Sequence, residues 1–406
     1  MIIIAPVRAK GAATVAQPRA GRHSASVTEP LALYVHWPFC VSKCPYCDFN
    51  SHVRATVDQA QWRNALLIDL AHEALQTAGR PVASIFFGGG TPSLMPPATV
   101  AAVIAAADKA WGLAAGCEIT LEANPSSVEA ARFADLAAAG VNRVSLGLQA
   151  LEDAALKFLG RAHNVDEGLA ALETAQRTFS RVSVDLIYAR PDQSMPAWEA
   201  ELARAIGFGT EHLSLYQLTI EPGTRFATEA AAGRLTIPDD DTAADLFAAT
   251  RAMTAAAGLP AYEISNHARH GAESRHNLTY WRMNDYVGIG PGAHGRRNGS
   301  ATVRHKKPEN WLTAIAARHH GIDHQEALSP EMRMTEALLM GLRMREGIDL
   351  ARLAALGQRP VERVVDQAAV PVLQREGLIT LTGTRMVVTE AGMPVLNAVL
   401  AALAPA

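Results

Sequence analysis

Residues 31–50 read LALYVHWPFCVSKCPYCDFN, which combines a predicted strand with a cluster of cysteines. An apolar run of strand length, 31–36, leads directly into three of the chain's four cysteines, which fall within eight residues: Cys40, Cys44 and Cys47. A disulfide framework would spread its cysteines, and a bridge inside so short a segment would be strained and leave an odd thiol. The pattern therefore indicates a metal or cluster site directly after a strand, with Cys117 as an ordinary buried residue.

Short apolar runs continue along the chain after this first strand and alternate with helical segments. The predicted strands are 31–36, 83–87, 118–122, 143–148, 182–187 and 212–218. The predicted helices lie near 57–78, 97–111, 127–139, 165–178, 195–207 and 240–257. This alternation predicts a parallel sheet with right-handed crossovers, which fits an open doubly wound sheet or a barrel. One polar group or cluster follows each strand at the same end, which favours a barrel that is incomplete at six units.

Four segments are predicted. Residues 1–30 carry four Lys or Arg against one Glu and read as a disordered extension, with an organelle transit peptide as the open alternative. The barrel core covers 31–258, and 259–324 extends it. Residues 325–406 predict a winged-helix-like α/β domain, with helices at 330–343, 349–356 and 361–376, then a hairpin and a last helix. Its eight Arg against nine Asp or Glu argue against nucleic-acid binding, so a lid or partner-docking role is predicted.

Composition excludes several protein classes. Of the 406 residues, 49% are hydrophobic and 19% charged, which excludes a disordered chain or a coiled coil as the main interpretation. No run approaches the roughly 20 apolar residues of a membrane span. A net charge of -3 provides no field that would gather nucleic acid or anionic lipid. We therefore predict a soluble cytoplasmic protein, with membrane association only through partners.

The number of clustered thiolates limits the metal chemistry. Zinc usually takes four ligands, commonly as two separated pairs. A four-iron cluster normally takes four cysteines, so three would leave one iron with an open position. The CxxxCxxC spacing after the first strand resembles the signature of the radical S-adenosylmethionine (SAM) superfamily. That resemblance implies a [4Fe-4S] cluster on the three cysteines, with SAM bound at the open iron.

Further residues match the cofactor-binding set of that superfamily. Three glycines after the second strand let a backbone approach a ligand closely. The resemblance assigns Gly89, Gly90 and Thr91 to the methionine portion of SAM, Glu122 to its ammonium, Arg161 to its carboxylate and Asp185 to the ribose hydroxyls. It also adds cofactor contacts at Tyr34, Tyr46, Gln149 and His294.

Longer motifs are similar to the oxygen-independent coproporphyrinogen III oxidase (dehydrogenase) group over essentially all of 31–400. They read LYVHWPFCVSKCPYCDFNSH, FFGGGTPS, LEANPSS, RVSLGLQ and VDLIYARPDQ. The decarboxylating branch carries a fourth cysteine two residues after the third, where this chain has Phe49. The haem-chaperone branch, HemW, has CPYCDFNSH and an HNxxYW motif, which occurs here as HNLTYW from His276. The missing cysteine leaves catalytic turnover open.

The chaperone branch implies haem as a ligand, His276 as its axial ligand and an acceptor haemoprotein as partner. The resemblance also implies an electron donor such as flavodoxin or ferredoxin. Two rivals stay open, a coproporphyrinogen III dehydrogenase and a zinc scaffold whose winged helix binds DNA. Arg190 departs from the family pattern, and its charge either favours a propionate near the barrel mouth or points outward.

Overall fold

The structure is a computed structural model that describes residues 30–54 and 56–405. The predicted disorder of 1–30 and the alternative of a transit peptide therefore lie outside the described residues, apart from Pro30. In the described part, no helix combines the length and the apolar character that crossing a membrane requires.

The strands form one large sheet and two small ones. In chain order they are β1 Leu31–Trp37, β2 Phe39–Cys40, β3 His52–Val53, β4 Val82–Gly89, β5 Leu113–Ala123, β6 Arg143–Gln149, β7 Arg181–Tyr188, β8 His212–Gln217, β9 Asn266–Ala268, β10 Tyr286–Ile289, β11 His294–Arg297, β12 Ser300–Arg304, β13 Ile322–Ala327, β14 Ile348–Asp349, β15 Ile379–Thr382 and β16 Arg385–Val388. The large sheet has eleven strands in the order β13-β12-β11-β10-β1-β4-β5-β6-β7-β8-β9.

The six predicted strands are β1, β4, β5, β6, β7 and β8, and they pair in parallel in that order. The predicted partial barrel is confirmed. The sheet also continues past both of its ends: β10 adds in parallel to β1, β11 to β13 follow antiparallel, and β9 pairs antiparallel with β8. The sequence did not predict these edge strands, because they are only three to six residues long and lack a clear apolar alternation.

The helices connect the strands. They are α1 Gln59–Gln76, α2 Pro97–Trp111, α3 Ser127–Ala130, α4 Phe133–Ala138, α5 Asp153–Phe158, α6 Val165–Thr178, α7 Met195–Ile206, α8 Arg225–Ala231, α9 Asp240–Ala256, α10 Arg275–Trp281, α11 Pro308–Arg318, α12 Pro330–Gly341, α13 Leu350–Gly357, α14 Ala369–Arg375 and α15 Leu396–Leu403. Side chains fix several starts. Asp58 accepts from two amides at the start of α1, and Asn164 with Glu167 forms a capping box on α6.

Two predicted helices are divided in the structure. The segment 127–139 forms α3 and α4 with a turn between them. The segment 361–376 forms a short 3-10 turn, Val361–Arg363, and then α14. Pro371 explains the late start of α14, since its ring excludes a helical carbonyl four residues earlier and it has no amide hydrogen to donate.

Alternation along the parallel strands gives the sheet two different faces. On β6, Val144, Leu146 and Leu148 join the main apolar core against the helices. Arg143 and Ser145 alternate with them and therefore lie on the opposite, inner face of the sheet. The same alternation on the neighbouring strands gives the barrel a polar interior.

A second apolar core belongs to the C-terminal part of the chain. It runs from Met334 to Leu403 and includes the small sheet of β14, β16 and β15. The predicted hairpin is present as β15 and β16. Arg251 of α9 donates to both carboxylate oxygens of Glu390 at 2.8 Å, which ties this part to the barrel. The domain boundaries after 258 and 324 stay predictions.

Candidate functional site: a cysteine loop at the barrel mouth

The three clustered cysteines lie on the loop that follows β1. Cys40 ends β2, and the amide of Cys47 donates to the carbonyl of Cys44 at 3.2 Å, which closes a tight turn. All three are half-buried free thiols. Two side chains donate to their sulfurs: Thr91 Oγ1 lies 3.5 Å from Cys40 Sγ, and Arg161 Nη1 lies 3.4 Å from Cys44 Sγ.

Burial governs the protonation of two of these thiols. It raises the pKa of Cys40 and raises the pKa of Cys47 to about 11. Without a metal these two thiols therefore hold their protons near neutral pH. Metal binding takes thiolates, so loading of this loop releases protons.

The glycine turn after β4 packs directly against the cysteine loop. The amide of Gly90 donates to the carbonyl of Trp37 at 2.7 Å. A Cβ at position 90 would lie 2.7 Å from the carbonyl oxygen of Phe39 and 3.0 Å from Cys40 Sγ. Gly89 has a φ of +116°, and a Cβ there would lie 2.7 Å from the ring of His36. Side chains are therefore excluded at both positions.

A chain of hydrogen bonds joins Arg161 to this turn. Arg161 Nη2 donates to Asn124 Oδ1 at 2.5 Å and to the carbonyl of Gly147 at 3.1 Å. Asn124 Nδ2 in turn donates to Thr91 Oγ1 at 3.3 Å. The sequence prediction missed Asn124, although it follows Glu122 by two residues in LEANP. Asn124 therefore links Arg161, which donates to Cys44, with Thr91, which donates to Cys40.

Two carboxylates lie near this group on the inner face of the sheet. Glu122 Oε2 accepts from the amide of Gly89 at 3.1 Å, and burial, with the charge of Asp185, raises the pKa of Glu122 to about 7. Asp185 accepts from Ser145 Oγ at 2.9 Å, and burial raises its pKa as well. A cationic or hydroxyl-bearing ligand would compensate the cost of burying both groups.

The other predicted cofactor contacts lie around this group. Tyr46 packs against Phe226, with ring centroids 6.4 Å apart, and burial raises its pKa. Gln149 ends β6 with a φ of +67°. The hydroxyl of Tyr34 is hydrogen bonded to His36 Nδ1 at 3.0 Å inside the barrel rather than to the cysteine loop. His294 begins β11, in the added part of the sheet. These roles stay predictions.

His276 contacts the strands of the barrel rather than the cysteine loop: its ring centroid lies 5.0 Å from that of Phe86 and 6.3 Å from that of Tyr34. Its Nδ1 is hydrogen bonded to Ser84 Oγ at 3.0 Å and its Nε2 to the hydroxyl of Tyr280 at 2.6 Å. Ser84 precedes Gly90 by six residues, or roughly 20 Å of extended chain. The side chain is fully buried, and burial lowers its pKa to about 3. Neither ring nitrogen is therefore open to a haem iron in this structure, and a haem bound there would replace one of these hydrogen bonds.

The structure contradicts both alternatives for Arg190. Its guanidinium is buried and bound to both carboxylate oxygens of Glu201, at 2.6 and 3.2 Å. Glu201 also accepts from the amide of Leu151 at 2.7 Å and from Gln193 at 3.1 Å. The charge is neutralised inside the fold, so Arg190 neither points outward nor faces the barrel mouth.

The cysteine loop and its surroundings fit an iron–sulfur cluster with SAM. Three free thiols share one loop, side chains are excluded at the adjoining glycines, and an arginine and two buried carboxylates stand beside them. Such a set matches the carboxylate, ammonium and hydroxyls of a sulfonium amino acid nucleoside. Within the described ranges, no three His, Cys, Asp or Glu side chains converge on a point that one metal ion could occupy.

Comparison with protein-family models gives two matches. Residues 34–204 match the radical SAM superfamily, and residues 328–395 match the HemN C-terminal domain. In fold the chain is similar to the coproporphyrinogen III oxidase HemN of Escherichia coli, with a TM-score of 0.78 over 92% of this chain and 90% of that one, at 21% identity.

Curated relatives are closer in sequence. The mitochondrial "radical S-adenosyl methionine domain-containing protein 1" of Bos taurus is 44% identical over 79% of this chain and 75% of its own. The heme chaperone HemW of Escherichia coli K12 is 44% identical over 66% and 70%, and that of Mycobacterium tuberculosis H37Rv is 35% identical over 92% and 95%. The two family models cover the cysteine loop and the C-terminal part, and the relatives named HemW match up to 92% of this chain, so the chain belongs to the HemW branch of the HemN-like radical SAM superfamily.

Proposed function

We propose that this protein is a haem chaperone that holds a [4Fe-4S] cluster and SAM at the barrel mouth, binds haem and delivers it to an acceptor haemoprotein. The observation that carries the proposal is the three-cysteine loop with Phe49 in place of a fourth cysteine, in a chain 35–44% identical to proteins named heme chaperone HemW. The acceptor and an electron donor such as flavodoxin or ferredoxin belong to the same proposal.

Different side chains at the barrel mouth bind the cluster and SAM. Cys40, Cys44 and Cys47 bind the cluster, which when loaded supplies one open iron and an electron for the bound SAM. Arg161 donates to the carboxylate of SAM and stays aligned by Asn124. Glu122 and Asp185 accept from the ammonium and the ribose hydroxyls. The expected location is the cytoplasm, although similar proteins include ones named mitochondrial.

Cluster binding is tested by anaerobic reconstitution with iron and sulfide. Wild type is expected to take up about four irons per chain and to change its spectrum when SAM is added. Cys44→Ser is expected to lose the iron while the barrel stays folded, as circular dichroism would report. Cys117→Ser provides the matched control, because Cys117 is buried outside the loop and should leave the iron content unchanged. Full iron content in Cys44→Ser, or zinc in place of iron, would refute the assignment.

The rival function is oxidative decarboxylation of coproporphyrinogen III. The reconstituted protein is supplied with that substrate, SAM and a reductant, and the products are separated by chromatography. We expect no protoporphyrinogen IX, together with stable binding of haem followed by absorbance. Formation of protoporphyrinogen IX would overturn the chaperone proposal in favour of the dehydrogenase.

A further inference from the structure

The described residues bury five arginines almost completely: Arg143, Arg190, Arg251, Arg297 and Arg304. Four of them form ion pairs, with Glu201, with Glu390, with Glu73, and with Asp69 and Glu73 together. Arg143 is only 2% exposed, yet no carboxylate oxygen of residues 30–54 or 56–405 lies within 4.0 Å of its guanidinium. An unpaired buried cation is costly, so its retention calls for an anionic partner that residues 30–54 and 56–405 do not supply.

The hydrogen bonds of Arg143 are also incomplete. Nη1 donates to Thr120 Oγ1 at 3.5 Å, the outer limit for such a bond, and the buried Nε has no acceptor. Arg181, its partner in register on β7, differs in this respect. Arg181 donates to Glu118 at 2.6 Å, to Glu211 at 2.5 Å and to the carbonyl of Ala272 at 2.7 Å. At this level of the sheet, Arg181 thus has hydrogen-bond acceptors for its guanidinium, whereas Arg143 keeps donors without an acceptor among the described residues.

Arg143 lies in a polar chamber on the inner face of the sheet. Hydroxyl residues occupy inward positions on five neighbouring strands, and all are buried: Ser84, Thr120, Ser145, Ser183 and Ser214. Bulky branched side chains usually fill this part of a barrel. Hydroxyl side chains are smaller than these, and each can donate a hydrogen bond to a carboxylate.

The other titratable groups around this chamber do not supply the missing charge. His212 and His276 are buried, and burial, together with the charge of Arg143, keeps them neutral. Along the sheet, Glu118 and Glu122 lie two residues to either side of Thr120, the register partner of Arg143 on β5, but neither forms an ion pair with Arg143. Asp185 on β7 accepts from Ser145 and acts on Arg143 only beyond ion-pair distance. Glu122 lies two residues beyond Thr120 on β5, so about 7 Å of strand separates the level of Arg143 from this proposed SAM contact.

We propose that Arg143 is the anchor for a carboxylate of the molecule that enters the barrel. Under the proposed function, on which this inference rests, that carboxylate is a propionate of the tetrapyrrole. The depth of Arg143 and the assignment of Arg161 to the mouth separate this anchor from the carboxylate of SAM.

The test compares two probes on the anaerobically reconstituted protein: haemin, which carries two propionates, and haemin dimethyl ester, which carries none. Wild type is expected to bind haemin more tightly than haemin dimethyl ester. Arg143→Met is expected to weaken haemin binding about 10- to 100-fold, the effect of losing a charge-assisted hydrogen-bond pair, and to leave the ester unchanged. Arg143→Lys should recover part of the loss. Arg177→Met removes the same charge from an exposed side chain and should change neither affinity.

The outcomes separate this inference from the proposed function. If neither probe binds wild type, the haem proposal fails. If both probes bind wild type and Arg143→Met binds each of them with the same affinity as wild type, the chaperone proposal stands and the anchor is overturned. Loss of SAM binding in Arg143→Met, with haemin preference retained, would assign the arginine to SAM and also overturn it.

Stability without ligand provides a second readout. Because the guanidinium is buried without a counter-charge, ligand-free Arg143→Met is expected to unfold at the same urea concentration as wild type or at a higher one. A clear fall in the midpoint would mean that Arg143 balances charge within the fold, through Asp185, and would refute the role of ligand anchor.

Discussion

Asp69 and Glu73 lie one turn apart on α1, and both carboxylates are completely buried. Asp69 accepts from Arg304 Nε at 2.7 Å, from Trp311 Nε1 at 3.2 Å and from the amides of Gly290 and Gly321. Each carboxylate oxygen is satisfied by residues that follow in the chain by more than 220 positions. A helix pattern alone places such residues on a solvated face, whereas here they fasten α1 to the added strands.

Asp69→Asn tests this network. The substitution removes the charge opposite Arg304 and turns one acceptor into a donor that faces other donors. We expect a loss of about 3–5 kcal/mol in the free energy of unfolding, as for other broken buried ion pairs, measured with urea. Glu309→Gln is the control, because its pair with Arg54 is exposed and should contribute less than about 1 kcal/mol. Equal effects of the two substitutions would contradict the interpretation.

At the scale of elements, α10 closes the amino-terminal end of the barrel. At its start, the hydroxyl of the N-cap residue Ser274 and the amide of His276 both donate to Glu118. The His276 ring stacks on Phe86 with centroids 5.0 Å apart. The HNLTYW motif on α10 therefore covers the polar interior of the barrel from below, and we call this segment the floor of the barrel. Its order along the chain identified the family, but only the structure places it opposite the cysteine loop.

His276→Ala is expected to destabilise the protein, since it leaves Ser84 and Tyr280 without their buried partner and opens a cavity. The expected loss is about 2–4 kcal/mol, measured by urea unfolding of the haem-free protein. An unchanged midpoint would show that α10 is not a structural floor. Haem absorbance of the folded variant then separates two roles: an unchanged spectrum assigns the imidazole to the floor alone, and a lost Soret shift assigns it to the iron as well.

At the scale of the whole molecule, buried histidines govern the response to acid. Burial lowers the pKa of His36 and His163 to about 4 and that of His267 and His276 to about 3. These rings stay neutral in the fold, while in the unfolded chain they take up protons near pH 6.5. Their contribution is therefore complete above pH 6.5 and is lost as the pH falls towards the folded values.

We expect the free energy of unfolding to fall between pH 6.5 and pH 5. Each such histidine contributes up to about 2 kcal/mol of that fall at pH 5. His163→Gln, which keeps a donor for the carbonyl of Leu148, should make the decrease less steep. His270→Gln, at an exposed position, should retain the wild-type pH dependence. Urea midpoints at four pH values measure both, and identical slopes for all three proteins would contradict the assignment.

The six parallel strands, most helix limits, the cysteine loop and the family could all be predicted from the amino-acid sequence. Periodicity and motif spacing are local properties, and each is complete within a few tens of residues. The polar residues at the strand ends also indicated which side chains lie at the barrel mouth, because the carboxyl ends of parallel strands lie at the same edge of the sheet. Asn124 escaped because a lone amide carries no charge or periodicity that distinguishes it from a turn residue.

The pairing of the buried charges, in contrast, became apparent only from the three-dimensional arrangement of the chain. Arg190 forms an ion pair with Glu201, and Arg297 forms one with Glu73, 224 positions away in the sequence. Arg143 forms an ion pair with no carboxylate of the described residues. The structure also placed His276 inside the floor and extended the sheet beyond β1 and β8. Such pairings depend on which strands become neighbours, and burial in a low dielectric sets their energy; neither is encoded in the local order of residues.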